Sequence, residues 1–100
     1  MAKGVWANRV TQLLENLRVS QAELAAMIGT DPSTVWRWVS NKGEPPSHPT
    51  QRIVEALEAI VAAREVEAFF QTMRAKKVRP NTREMLELIF FFSGGRRYVP

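Results

Sequence analysis

"SQAELAAMIGTDPSTVWRWVSN", residues 20–41, decides how this chain is read. Ser20 followed three residues later by Glu23 is a capping box, in which hydroxyl and carboxylate each accept from a backbone N–H that the first turn leaves free. Leu24, Ala25 and Ile28 then line one helix face. Gly29 ends it, because glycine enters the left-handed conformation at no steric cost. A second start signal follows at once: Asp31 is a good N-cap, and Pro32 suits a first helical position that needs no N–H. From there to about Ser40, the residues Val35, Trp38 and Val39 recur at the steps of a single face. Ser33, Trp36, Arg37 and Ser40 fall opposite. Residues two apart on a helix point about 200° from each other, so Trp36 and Trp38 cannot share a face. The spacing predicts Trp38 inside and Trp36 outside, with packing of Trp36 on the loop "GEPP" as the competing reading.

Working outward, Val5 to Leu17 reads as a first helix, since Trp6, Val10, Leu13, Leu14 and Leu17 keep helical spacing. After the second tryptophan, "NKGEPPSHP" is a loop dense in Gly and Pro. No proline or glycine interrupts Thr50 to Lys77, and Ile53, Leu57, Ile60, Val61, Phe69, Phe70 and Met73 keep a helical period. That segment is one long helix or two abutting ones. Pro80 breaks it, and Asn81 or Thr82 caps a last helix through "REMLELIFFF", apolar all round and so expected to be buried on several sides. The competing reading is a hairpin, with "LIFFF" and "RRYV" flanking Gly94-Gly95. Helix to about Phe91 is preferred. No internal repeat is visible.

The totals bound the class of protein. A chain of 100 residues with 45% hydrophobic content supports one small domain, or a domain with an appendage. No apolar run is long enough to span a bilayer, and the start "MAKGVW" lacks the apolar stretch of a secretion signal. The sequence has no cysteine, which excludes disulfides and thiolate metal sites. A cytoplasmic location is expected. Net charge is +4, with five Lys/Arg against four Asp/Glu in residues 1–50 and nine against six in residues 51–100. Excess positive charge favours polyanionic partners. Arg74, Lys76, Lys77, Arg79 and Arg83 form a cluster without an acid, read here as a solvated face. Nucleophilic catalysis needs an activated Ser, Cys or Lys with a base in reach. The lone histidine, His48, sits among prolines in a loop, and the acids are scattered over helix surfaces. The expectation is therefore no enzyme, no metal site and no cofactor.

Two short helices joined by a tight glycine turn make a helix-turn-helix. Through "SQAELAAMIGTDPSTVWRWVSNKGEPP" the chain resembles the phage-repressor, Cro and xenobiotic-response-element (XRE) class of DNA-binding domains. Gln21 opens the second helix, Leu24-Ala25 and Gly29 follow in register, and Val35 and Trp38 take the inner positions of the third helix. Arg9 stands where these domains often place a first-helix arginine. The resemblance covers roughly Val5 to Ala63. Two positions depart from the family. Val39 stands where an acidic partner for that arginine is often found, and Pro32 stands where many phage repressors carry a base-reading glutamine. Base reading then shifts to Ser33, Thr34, Trp36 and Arg37.

The resemblance implies an all-α, lambda-repressor-like five-helix bundle with a helix-turn-helix in residues 1–63. Residues 64–100, which it does not reach, are expected from their apolar content to be a C-terminal helical dimerisation extension. It implies a sequence-specific DNA-binding regulator, expected to be a repressor, that binds a palindromic operator on double-stranded DNA as a homodimer. The third helix would lie in the major groove, where Arg37 can pair with guanine and Trp36 can meet a thymine methyl or a sugar. Ser33 and Thr34 would contact phosphate or bases, Gln21 a phosphate, and Ser40, Asn41 and Lys42 complete the expected DNA-binding set. Phe69, Phe70, Met73, Met85, Leu86, Ile89, Phe90 and Phe92 are the expected dimer interface, because so much apolar surface normally marks a contact. The alternative function is a protein-interaction module, such as an antitoxin gripping a toxin through the same C-terminal apolar segment.

Overall fold

The computed structural model describes residues 2–94, which form six helices: α1 Ala2–Leu17, α2 Gln21–Ile28, α3 Pro32–Val39, α4 His48–Ala62, α5 Val66–Ala75 and α6 Arg83–Phe92. No strand occurs among the described residues, and no helix is long and apolar enough to cross a membrane. The start signals act as expected. Ser20 and Glu23 form the capping box, Gly29 ends α2 in the left-handed region, and Asp31 accepts from the Thr34 N–H to open α3. The first helix starts at Ala2 rather than Val5, because apolar spacing marks a packed face and not the reach of backbone hydrogen bonds. Residues 88–92 lie in α6, so the hairpin alternative does not form. Its second half, from Gly95 onward, lies outside the described residues.

Thr50 to Lys77 divides into two helices, and the break has a backbone cause. Arg64 takes a left-handed φ of 60°, while the Glu65 N–H reaches back to the Ile60 carbonyl at 3.0 Å. This reverse wrap satisfies the free carbonyls of a helix end. It recurs at Arg18, Gly29, Asn41 and Lys77, so five helices end alike and only one of them uses glycine. A non-glycine residue in this region costs roughly 1 kcal/mol or more, which the packing on either side must offset. His48, expected in a loop, is instead the first residue of α4, with Pro49 behind it at a position where proline is tolerated.

The core is built around α4, which packs against α1, α2, α5 and α6, while α3 packs on α1 and α2. Its Val54, Leu57 and Ile60 are fully buried among Val10 and Leu13 of α1 and Leu24 of α2. On the other side of the bundle Trp6 meets Trp38 edge to face, with ring centroids 5.6 Å apart. Trp38 is 5% exposed and Trp36 49%, as the spacing predicts. Val39, expected on the inner face, is only half-buried at its margin.

The C-terminal helices correct the expected plan. Only four helices precede residue 64, and the expected boundary there runs through one continuous core. Phe69, Met85 and Ile89 are each 0% exposed and belong to the same hydrophobic cluster as Leu24 and Leu57. They fill their own chain's interior and have no surface left for a partner. Phe69 also takes Phe70 and Phe92 edge to face at 5.1 and 5.7 Å. Phe70, Met73, Leu86, Phe90 and Phe92 are half-buried against the core, and Phe91 is 54% exposed.

These placements set two measurable outcomes. Trp38→Ala should cost roughly 3–5 kcal/mol in denaturant melts, and Trp36→Ala well under half of that; equal losses would put the helix phase in error. A chain ended at Arg64 loses the side chains that cover α4, so it should melt without a cooperative transition. A sharp, full-amplitude transition in that fragment would show that α5 and α6 are dispensable to the core.

Candidate nucleic-acid interface

The outward side of α3 and the loop behind it bring together most of the residues expected to touch DNA. Asp31 organises the start. Its Oδ1 accepts from the Thr34 N–H at 3.0 Å, from the Ser33 hydroxyl at 2.8 Å and from the Thr34 hydroxyl at 2.9 Å. The Ser33 hydroxyl bond, followed by those from Thr34, holds the Asp31 pKa below the usual carboxylate value, and Arg37 acts in the same direction. This triple contact was not expected from the sequence, where Asp31 is only a cap. It changes what Ser33 and Thr34 can offer. With their protons given to Asp31, they meet a ligand through oxygen lone pairs, as acceptors. Phosphate, itself an acceptor, suits them poorly, whereas a base amino group suits them well.

At the other end of α3, Asn41 takes a left-handed φ of 60° and the Lys42 N–H bonds back to the Arg37 carbonyl at 2.8 Å. The chain therefore curls over the helix end, and the Lys42 ammonium sits 5.6 Å from the centre of the Trp36 ring. The exposed tryptophan thus meets a lysine, an attraction worth about 0.5–1 kcal/mol in water-exposed settings. Arg37 is exposed beside this pair, as is Asn41, while Ser40 is half-buried.

Gln21 is half-buried at the first position of α2. Next to it the capping box closes with the Ser20 N–H on Glu23 Oε1 at 2.7 Å and the Glu23 N–H on Ser20 Oγ at 3.0 Å. The box leaves the Gln21 and Ala22 N–H groups outside it.

Arg9 finds a different acid from the one its family position suggests. Its guanidinium makes a two-pronged contact with Glu58 of α4, at 3.0 and 2.8 Å, and its carbon centre stacks 5.0 Å from the Trp6 ring. The Glu58 hydrogen bond raises the Arg9 pKa above its ordinary value despite partial burial, with Glu55 adding to it. Both side chains are about one-third exposed, so solvent screening holds the pair to about 1 kcal/mol or less. Its role is to clamp α1 to α4.

Comparison with protein-family profiles, curated proteins and solved structures finds no match to this chain.

The Asp31 cap gives a pH dependence of known sign. A carboxylate with a lowered folded-state pKa adds stability that is present above its unfolded value, about 3.9, and is lost as the pH falls through the folded value. Asn caps a helix about as well as Asp but carries no charge. The denaturant midpoint of wild type should therefore exceed that of Asp31→Asn most at neutral pH, and the gap should narrow as the pH falls below the unfolded carboxylate value of about 3.9. A gap that widens on acidification would contradict the Asp31 contacts described above.

Proposed function

We propose that this chain is a sequence-specific DNA-binding regulator of the phage-repressor, Cro and XRE type, with α2 and α3 as its helix-turn-helix and α3 as the helix that enters the major groove. On this reading the bundle is lambda-repressor-like, with α6 added to five helices. The observation that carries it is the division of α3. One face is locked into the core by Val35 and Trp38, while the other presents Trp36 and Arg37, with Lys42 folded over the Trp36 ring. A helix held that rigidly on one side, with an arginine, a lysine and an aromatic ring on the other, suits the readout of base edges next to a phosphate backbone.

The roles follow from donor chemistry. Arg37 supplies the paired donors that guanine's O6 and N7 accept, a contact worth about 1–3 kcal/mol of discrimination. Ser33 and Thr34 accept from the amino group of adenine or cytosine. Trp36 lies on a thymine methyl or a sugar, and Lys42 and Gln21 hold phosphates. One helix reads few base pairs, so the protein works as a homodimer on a palindrome and acts as a repressor. Half-sites are then spaced about one DNA turn, 34 Å, apart. The half-buried Phe70, Met73, Leu86, Phe90 and Phe92 and the exposed Phe91 are the apolar residues left for that pairing. The exposure of Phe91 equally favours a second reading, in which this edge receives a different protein and the chain is an interaction module.

Selection of bound sites from random duplexes tests the reading directly. A palindromic consensus should emerge, with affinity falling steeply as salt rises. Arg37→Ala should relax the preference at one base pair per half-site, whereas Gln21→Ala should weaken all duplexes alike. Recovery of no sequence above background would hand the function to the interaction-module reading.

A further inference from the structure

The loop between α5 and α6 is the most positively charged segment of the chain, and the fold puts it beside the helix-turn-helix. Arg74, Lys76, Lys77, Arg79 and Arg83 are all exposed, and no acid lies between the first and the last of them. Among the described residues the one ion pair is Arg9 with Glu58, so none of the five is neutralised by a salt bridge. Glu84 and Glu87 follow on α6 and are exposed as well.

The loop is fixed at both ends. Behind Lys77, the Val78 N–H bonds to the Met73 carbonyl at 2.9 Å, and the Val78 side chain packs on the core. Ahead of Arg83, the Thr82 hydroxyl donates to the Arg79 carbonyl at 2.7 Å while accepting from the Met85 N–H at 3.2 Å, and Met85 is fully buried. Between these anchors, Asn81, Thr82 and Arg83 share a cavity of about 170 Å³ with Met27, Ile28 and Gly29. Asn81 Oδ1 lies 3.5 Å from where a Cβ on Gly29 would stand. Gly29 is the turn that leads into Asp31 and α3. Two local choices here work against stability: Lys77 and Asn81 both sit at positive φ, and Arg83 places a cation in the first turn of α6, the positive end of the helix dipole.

We propose that this loop is a second DNA-backbone clamp, with Lys76, Arg79 and Arg83 engaging phosphates next to the groove that α3 reads. The inference rests on the DNA-binding reading and extends its footprint. Charge complementarity identifies the occupant: a row of exposed cations without salt bridges, whose Arg83 end adjoins the α2–α3 turn, suits the polyphosphate strand that the DNA-binding reading places there. Because the loop touches no base, it adds affinity without adding sequence preference.

The test uses the full-length chain on its selected duplex. Lys76→Gln/Arg79→Gln/Arg83→Gln should weaken binding about 10- to 100-fold at moderate salt and lower the log–log salt slope by about 2 to 3, close to one per lost phosphate contact. The consensus recovered from random duplexes should stay the same, and the thermal melt should not fall, since all three side chains are exposed and Arg83 opposes the α6 dipole. Arg64→Asn, which removes one charge at the α4–α5 junction while tolerating positive φ, should leave the slope unchanged. An unchanged slope in the triple variant, with wild type still binding its site, would overturn the clamp and leave the DNA reading intact. A slope lowered equally per charge by Arg64→Asn would also overturn it, by making the effect one of net charge. Failure of wild type to select any site would remove the reading beneath it.

Discussion

The edge-to-face contact of Trp38 with Trp6 sets the rotation of α3, and the functional surface depends on that rotation. Burying a tryptophan is worth several kcal/mol, far more than any single contact on the outer side of this short helix. Once Trp38 is inside, helical geometry leaves no choice about Trp36 and Arg37, and both face outward. Arg9 reinforces the same point from behind, stacking on Trp6 while gripping Glu58, so that α1, α3 and α4 are tied together at one place. A change at Trp6 would therefore act on the outer face of α3 without touching it.

The C-terminal third is explained by what α4 would otherwise expose. An amphipathic helix needs one covered face, but α4 has buried residues facing the N-terminal helices and others facing α5 and α6. Phe69, Met85 and Ile89 close that second side. Their burial leaves a narrower apolar surface for any partner than the sequence suggests, centred on Phe91 and the half-buried side chains around it.

The start signals were legible because they are local chemistry. Ser20 with Glu23, and Asp31 with Pro32, act within one turn and need nothing from the rest of the chain. The stop signals were legible only at Gly29. Arg18, Arg64 and Lys77 make the same left-handed wrap with residue types that give no warning, which is why the sequence leaves open whether α4 and α5 are one long helix or two abutting ones. Glu58 as the partner of Arg9 was equally hidden, since the two are 49 positions apart. The burial of Val35 and Trp38 on α3 followed from periodicity. The engagement of Ser33 and Thr34 by Asp31 did not, because a spacing shows which side chains are neighbours and not which of them donates.

That last arrangement carries a consequence for charge. Both helix starts that the DNA-binding reading turns toward the duplex are capped by exposed carboxylates, Glu23 on α2 and Asp31 on α3. Each satisfies its own helix and, in doing so, places a negative charge where phosphates would lie, which opposes binding. Helix-end N–H groups alone would then be a poor anchor for this protein. On the DNA-binding reading the attraction would come from cations placed around the two helices: Arg37 and Lys42 on one side of α3, and the α5–α6 loop against its turn. The charge distribution has that form. Residues 20–42, which hold the helix-turn-helix, carry Arg37 and Lys42 against Glu23 and Asp31 and are balanced, whereas residues 74–83 carry five cations and no acid. On the DNA-binding reading, a head balanced by its own caps and flanked by a basic loop would separate recognition, set by α3, from attraction, set by a segment beyond the stretch that resembles repressor domains.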